Sequence, residues 1–223
     1  MPVSKNIIIH YDLETTSANP HTTQPIEIAA VAIDNRTLEI IPNSEFYSLI
    51  KPIEDPEEQT KLGLGQIEQG ALDVNKKTME ELRIAPALKS VWKSFEKYVM
   101  GFNASGKKWD APILSGYNNQ GFDDIILNRI AGPVWKYGPW DEDRKSCPLF
   151  HPIYNLDVMK LLYPWFDSSY EISNFKMDTF RSFFGLSMEG AHSADKDVKD
   201  QAEILIRLMK LTRKYSKITN WNK

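Results

Sequence analysis

Ile7-Ile8-Ile9-His10-Tyr11-Asp12-Leu13-Glu14-Thr15-Thr16 is an apolar run that ends on two carboxylates. Its β-branched and aromatic residues predict a buried strand. Successive strand side chains alternate between faces, so Asp12 and Glu14 project the same way. Like charges side by side at a core strand repel each other and lose hydration. A divalent cation offsets both costs, and carboxylate oxygens suit hard ions such as Mg²⁺ or Mn²⁺. The stretch therefore predicts a metal site for phosphate-ester chemistry, provided that further carboxylates converge on it. The competing reading is a pair of acids at a solvated strand end, where charges are common.

Two later segments supply suitable acids. Gly116-Tyr117-Asn118-Asn119-Gln120-Gly121-Phe122-Asp123-Asp124 follows the apolar Ile113-Leu114. Gly190-Ala191-His192-Ser193-Ala194-Asp195-Lys196-Asp197-Val198 opens the last helical pattern. In chain order the motifs are Asp-x-Glu, Asn-x-x-Phe-Asp and His-x-x-x-x-Asp. Two adjacent acids compete in the second. On a helix, Asp123 shares a face with Ile126, Leu127 and Ile130, whereas Asp124 shares one with Leu127, Asn128 and Ala131. Asp123 is thus the acid expected to point inward, and Asp124 a first-turn acid near the positive end of the helix dipole. In the third motif Ser193 is a candidate N-cap, with Asp197 in the first turn and His192 on the loop before it. An imidazole with an ordinary pKa of about 6.5 suits taking a proton from water at neutral pH. Five residues along one helix would place them about 140° apart. A loop-to-helix transition lets both face one site.

The rest of the chain fits an α/β domain. Strands are predicted at 7–13, 26–33 and 46–50, with turn chemistry at Asp34-Asn35-Arg36-Thr37, giving an antiparallel start. Pro52 to Gln59 is acidic and polar and reads as a loop. Residues 79–99 have a helical period interrupted by Pro86, which predicts two helices. Ile113–Tyr117 and Tyr154–Asp157 read as strands. Helices are expected at Asp123–Ile130, Val158–Leu162 and Met177–Phe184, and from Ser193 onward. Pro133 to Pro152 reads as a long surface loop with a charge run at its centre. Antiparallel strands followed by alternating helices and strands suggest one mixed sheet of five strands with helices on both faces.

Composition sets outer bounds. The 223 residues are 42% hydrophobic and 26% charged, as in an ordinary globular protein. No apolar run is long enough to cross a membrane, and the N-terminus lacks the apolar core of a signal peptide. The single cysteine, Cys147, permits no internal disulfide and fits a reducing cytoplasm. The net charge of −3 lacks the basic surplus usual for nucleic-acid binding. Bound divalent ions would offset part of that local negative charge. His10 shares the strand face of Asp12, and a place in the core or behind the ligands is expected for it in preference to one beneath the site; His21 and His151 receive no role.

The three motifs, taken in order, resemble those of the DEDDh exonucleases, the family of polymerase proofreading subunits, oligoribonucleases and bacterial exonuclease I. The Gly-Tyr-Asn-Asn-x-x-Phe-Asp-Asp block is most similar to exonuclease I, and the chain as a whole looks like a phage-encoded, stand-alone member. The resemblance runs from about Ile7 to about Leu211. It implies a ribonuclease H-like fold, a single exonuclease domain over 1–223, and two Mg²⁺ (or Mn²⁺) ions. Asp12, Glu14 and Asp197 would hold the first ion, Asp12 and Asp123 would serve the second, and His192 would be the general base. Thr15 and Thr16 would hold the terminal 3′ nucleotide, with Asn118, Asn119 and Phe122 beside it. The implied activity is 3′→5′ release of nucleoside monophosphates from single-stranded DNA. The implied location is the cytoplasm, the host's if the chain is phage-encoded, with replication or repair proteins as partners. Two alternatives stay open: an exoribonuclease or oligoribonuclease with the same site, and a non-catalytic nucleic-acid-binding module. All five catalytic positions being filled speaks against the second. Recognition of the 2′-OH is a matter of local shape, so DNA and RNA are not separated by sequence. The chain departs from the family at 67–78, where many members have an Ile-x-Gly-Ile-Thr segment. The further domains that close around the strand in bacterial exonuclease I are not expected here.

Overall fold

The computed structural model describes residues 6–131, 149–189 and 193–218. His192, Cys147 and residues 133–148 of the expected surface loop lie outside them. The first strand, β1 (Ile7–Thr15), runs antiparallel to β2 (Pro25–Asp34), with Asp12 opposite Ala29 and Glu14 opposite Glu27. The Asp34 carboxylate accepts from the N–H groups of Arg36 and Thr37, which closes the turn predicted there. That turn leads into a two-residue strand, β3 (Glu39–Ile40), which pairs with the end of β2. The expected third strand follows as β4 (Phe46–Leu49), paired with the start of β2.

The second half of the acidic stretch read as a loop opens a helix, α1 (Pro56–Leu62). Asp55 caps it by accepting from the Glu58 N–H, Pro56 occupies the first turn, and Gly63 closes it with φ of 67°. Helices α2 (Gln69–Val74), α3 (Met79–Arg83) and α4 (Leu88–Met100) follow, and Pro86 separates the last two as expected. Strand β5 (Ile113–Gly116) lies parallel to β1, α5 (Asp123–Ala131) follows a 3₁₀ turn at Asn119–Gly121, and β6 (Asn155–Asp157) lies parallel to β5. Helices α6 (Val158–Phe166), α7 (Met177–Phe183) and α8 (Ala194–Ile218) complete the described chain.

The sheet order is β3-β2-β1-β5-β6, with β4 also on β2. It is the mixed, helix-covered sheet of the ribonuclease H-like fold, with six strands among the described residues rather than five. Alternation along β1 divides the core. Ile9, Tyr11 and Leu13 face α4 and α5, packing with Phe95, Val99, Ile126 and Leu127. Ile8 faces the other way, with Val158, Phe180, Ala202 and Leu205 from α6, α7 and α8. Each such fully buried side chain contributes about 1.5–3 kcal/mol of transfer free energy. Asp12 and Glu14 share the parity of Ile8, so they end β1 on the face covered by α8.

Candidate functional site

Strand parity and helix period bring the carboxylates together. Asp197 lies three residues beyond the fully buried Ala194 and next to the buried Val198, so the first turn of α8 lays it against the end of β1. Ligand oxygens of Asp12, Glu14 and Asp197 lie within 4.8 Å of one another. Burial, then the charge of Asp197, raises the Asp12 pKa to about 7. Burial, then Asp12 and Asp197, raises that of Glu14 to about 9. Acids so disfavoured in their charged form gain from a cation placed among them. The donor set is three hard oxygens, so the residues fit Mg²⁺ or Mn²⁺.

Asp123 opens α5 and is buried. Burial, then Asp12 and Asp124, pushes its pKa well up, while the backbone of Leu13 hydrogen-bonds its charged form. It stands alongside the group, within electrostatic reach of Asp12 and Glu14, but outside the 4.8 Å set. The expectation for Asp124 needs correcting. It is 7% exposed, not a surface acid. It accepts from the Tyr11 hydroxyl at 2.6 Å, from Asn155 Nδ2 at 2.6 Å and from Asn119 Nδ2 at 3.2 Å. Polar donors from β1 and β6 bury it, which the apolar pattern around it could not reveal.

His10 lies beneath the site, fully buried. Its Nε2–H donates to Gln201 Oε1 and its Nδ1 accepts from the Ser115 hydroxyl, both at 3.0 Å, a tautomer set by the amide orientation of Gln201. Gln201 Nε2 then donates to Asp12 Oδ1 at 3.0 Å. Burial lowers the His10 pKa to about 4, so its imidazole stays neutral at physiological pH.

Two charged groups here were not anticipated. Glu27, opposite Glu14, is fully buried; it pairs with Lys77 at 2.6 Å and accepts from the Ala194 N–H at 3.1 Å, the first amide of α8. Its sequence signal is an acid inside the otherwise apolar Pro25–Ile33 run. Arg181, on α7, is fully buried and bonds Asp197. Nothing in its local sequence distinguishes it from a surface arginine paired with Asp178.

The expected substrate residues are mostly tied to the protein. Thr15 and Thr16 are buried; the first donates to the Ser17 carbonyl, and the hydroxyl of the second bonds Thr23 and accepts from the Gln24 N–H. Asn119 is fully buried, its amide donating to Asp124 and Asn155, a position that supports the fold rather than reaching a substrate. Its closeness explains Gly116, where a Cβ would lie 2.7 Å from that of Asn119. Asn118 is half-buried with left-handed backbone, its N–H donating to Asp157. Phe122 is half-buried against the Phe95 side of the core.

Residues 9–111 match the exonuclease family RNase_T. No curated protein matches the chain. Among solved structures, cell-death related nuclease 4 (CRN-4) aligns with a TM-score of 0.67 at 15% identity, over 92% of this chain and 64% of that one. E. coli exonuclease I in complex with a dT13 oligonucleotide aligns with a TM-score of 0.64 at 16% identity, over 96% of this chain and 43% of that one. A full-length 3′-exonuclease aligns with a TM-score of 0.64 at 18% identity, over 93% of this chain and 83% of that one. The chain thus spans less than two thirds of the first two. The fold expected from the sequence is borne out, as is the likeness to the exonucleases.

Proposed function

We propose, from the match of residues 9–111 to an exonuclease family, that this chain is a DEDDh-type 3′→5′ exonuclease that hydrolyses the terminal phosphodiester of single-stranded DNA. The observation that carries the reading is the convergence of Asp12 and Glu14 from β1 with Asp197 from α8. These carboxylates would hold one divalent ion, and Asp12 with Asp123 would serve a second, Mg²⁺ or Mn²⁺. Bound there, such ions stabilise charge on the attacking and leaving oxygens of an in-line displacement.

The chain's own residues do the rest. His192 takes the proton from the attacking water. Gln201, bonded to Asp12 and backed by neutral His10, keeps one oxygen of that carboxylate in a fixed direction. The Thr15–Thr16 segment, braced by its bonds to residues 17–24, forms the floor for the 3′ nucleotide, with Asn118 and Phe122 at its side. The product is a nucleoside monophosphate. DNA is favoured over RNA in this reading because E. coli exonuclease I, of like fold, is solved with dT13 and dA16 oligonucleotides; a replication or repair protein is proposed as partner, in keeping with an exonuclease I structure that includes SSB.

End-labelled DNA and RNA strands, incubated side by side with Mg²⁺ or Mn²⁺, test this. Loss of nucleotides from the 3′ end of DNA, blocked by EDTA or by a modified 3′ end, is expected. Faster loss from RNA would make the chain an exoribonuclease with the same site. No cleavage of either, with binding retained, would make it a binding module.

A further inference from the structure

Arg181 has no part in the reaction just described, yet it is the largest fully buried side chain among the described residues. It stands on α7, which gives no carboxylate to the metal group. Its guanidinium makes three ion pairs: Nη2 to Asp197 Oδ1 at 2.5 Å, Nε to Asp200 Oδ2 at 2.9 Å and Nη1 to Asp178 Oδ1 at 2.7 Å. Lys196 also pairs with Asp200. Asp197 and Asp200 are one helical turn apart, so both meet the same fork.

A guanidinium is planar, rigid and permanently charged. With two of its edges fixed by Asp178 and Asp200, the third nitrogen has little freedom. The oxygen it grips therefore fixes the plane of the Asp197 carboxylate. Its charge also favours the ionised form of Asp12. Burying a guanidinium is costly unless carboxylates surround it, as they do here.

On the reading of Asp12, Glu14 and Asp197 as a metal group, we infer that Arg181 is a positioning residue of that group. It holds Asp197 in its ligating orientation and keeps the acids assembled before the cation arrives. The rival is a purely structural tie between α7 and α8, which would alter stability and leave metal affinity untouched.

Mn²⁺ binding to the metal-stripped full chain, followed by calorimetry and by electron paramagnetic resonance, separates the two. In folded Arg181→Met the Kd for Mn²⁺ should rise about 10–100-fold, the range seen when residues behind metal ligands are removed. Arg181→Lys, with the charge but no fork, should fall between. The Mn²⁺ concentration for half-maximal turnover should rise in step, while kcat at saturating Mn²⁺ changes far less. Folded variants with wild-type Mn²⁺ affinity would overturn the inference. Should both fail to fold, Asp178→Asn carries the test, because Asp178 is 44% exposed and releases only one edge of the fork. A raised Kd there supports positioning, and an unchanged Kd overturns it. A wild-type chain that binds no Mn²⁺ would overturn the metal reading itself, and this inference with it.

Discussion

Exchanging Asp123 and Asp124 for asparagine, one at a time, should move stability in opposite directions. Asp124 accepts from Tyr11, Asn155 and Asn119, all donors and all at 2.6–3.3 Å. An amide there keeps one acceptor oxygen and turns an NH₂ group toward donors. Losing one or two bonds to a charged acceptor, at about 1.5–3 kcal/mol each, gives a cost of about 3 kcal/mol. For a domain of this size that is a fall in Tm of about 6–12 °C. Asp123 is the reverse case. Burial and its acidic neighbours already disfavour its charge, so a neutral amide relieves repulsion. Asp123→Asn should melt at or above the wild-type temperature while losing cleavage, because on the proposed two-metal reading it would weaken the second ion. Thermal melts in EDTA, paired with one cleavage assay in Mn²⁺, read both quantities. If Asp124→Asn melts like wild type, or Asp123→Asn falls as far as Asp124→Asn was expected to, the division of roles between the two acids is wrong.

The raised acids also set a pH dependence. Asp12 near 7 and Glu14 near 9 bind protons in the folded state that the unfolded chain has already released above about pH 4–5. Stability of the metal-free protein should therefore fall as pH rises from 5 to 9, less steeply in Glu14→Gln, and the Tm gain on adding Mn²⁺ should grow. A metal-free Tm as flat in wild type as in Glu14→Gln would contradict this. Gly116→Ala places a Cβ 2.7 Å from that of Asn119 and 3.2 Å from the Tyr11 carbonyl oxygen. It should cost about 1–3 kcal/mol, seen as a lower Tm; an unchanged Tm would mean that the contact relaxes freely. His192→Ala should lose about 10²–10⁴-fold in turnover and keep Mn²⁺ affinity, and near-normal turnover at pH 6–9 would place the base elsewhere.

Sequence revealed the strand acids because parity is a strong local rule: Asp12 and Glu14 must share a face, and in β1 they do. The break at Pro86 and the inward direction of Asp123 were legible for similar reasons. What escaped depends on distant partners or on weak local grammar. Asp124 is buried by Tyr11 and Asn155, which no window around position 124 contains. Arg181 meets Asp197 only because α7 docks on α8. Glu27 interrupts the apolar run of β2, and its partner at the start of α8 lies far along the chain. The α1 helix is written in sequence, since Asp55-Pro56-Glu57-Glu58 is an N-terminal cap, and its acidity is what gives it the look of a loop. A two-residue strand such as β3 has no period to detect.

The division of the acidic group between the first strand and the last described helix has a consequence for synthesis. A ribosome that has delivered β1 has made Asp12 and Glu14 but not Asp197, Gln201 or the amide that Glu27 caps. Until α8 emerges and docks, the nascent chain carries two strand acids that repel each other and no enclosing ligand. On the proposed reading, a chain assembled in this order would stay inert while it is being translated. The acidic group is complete only when α8 docks on β1.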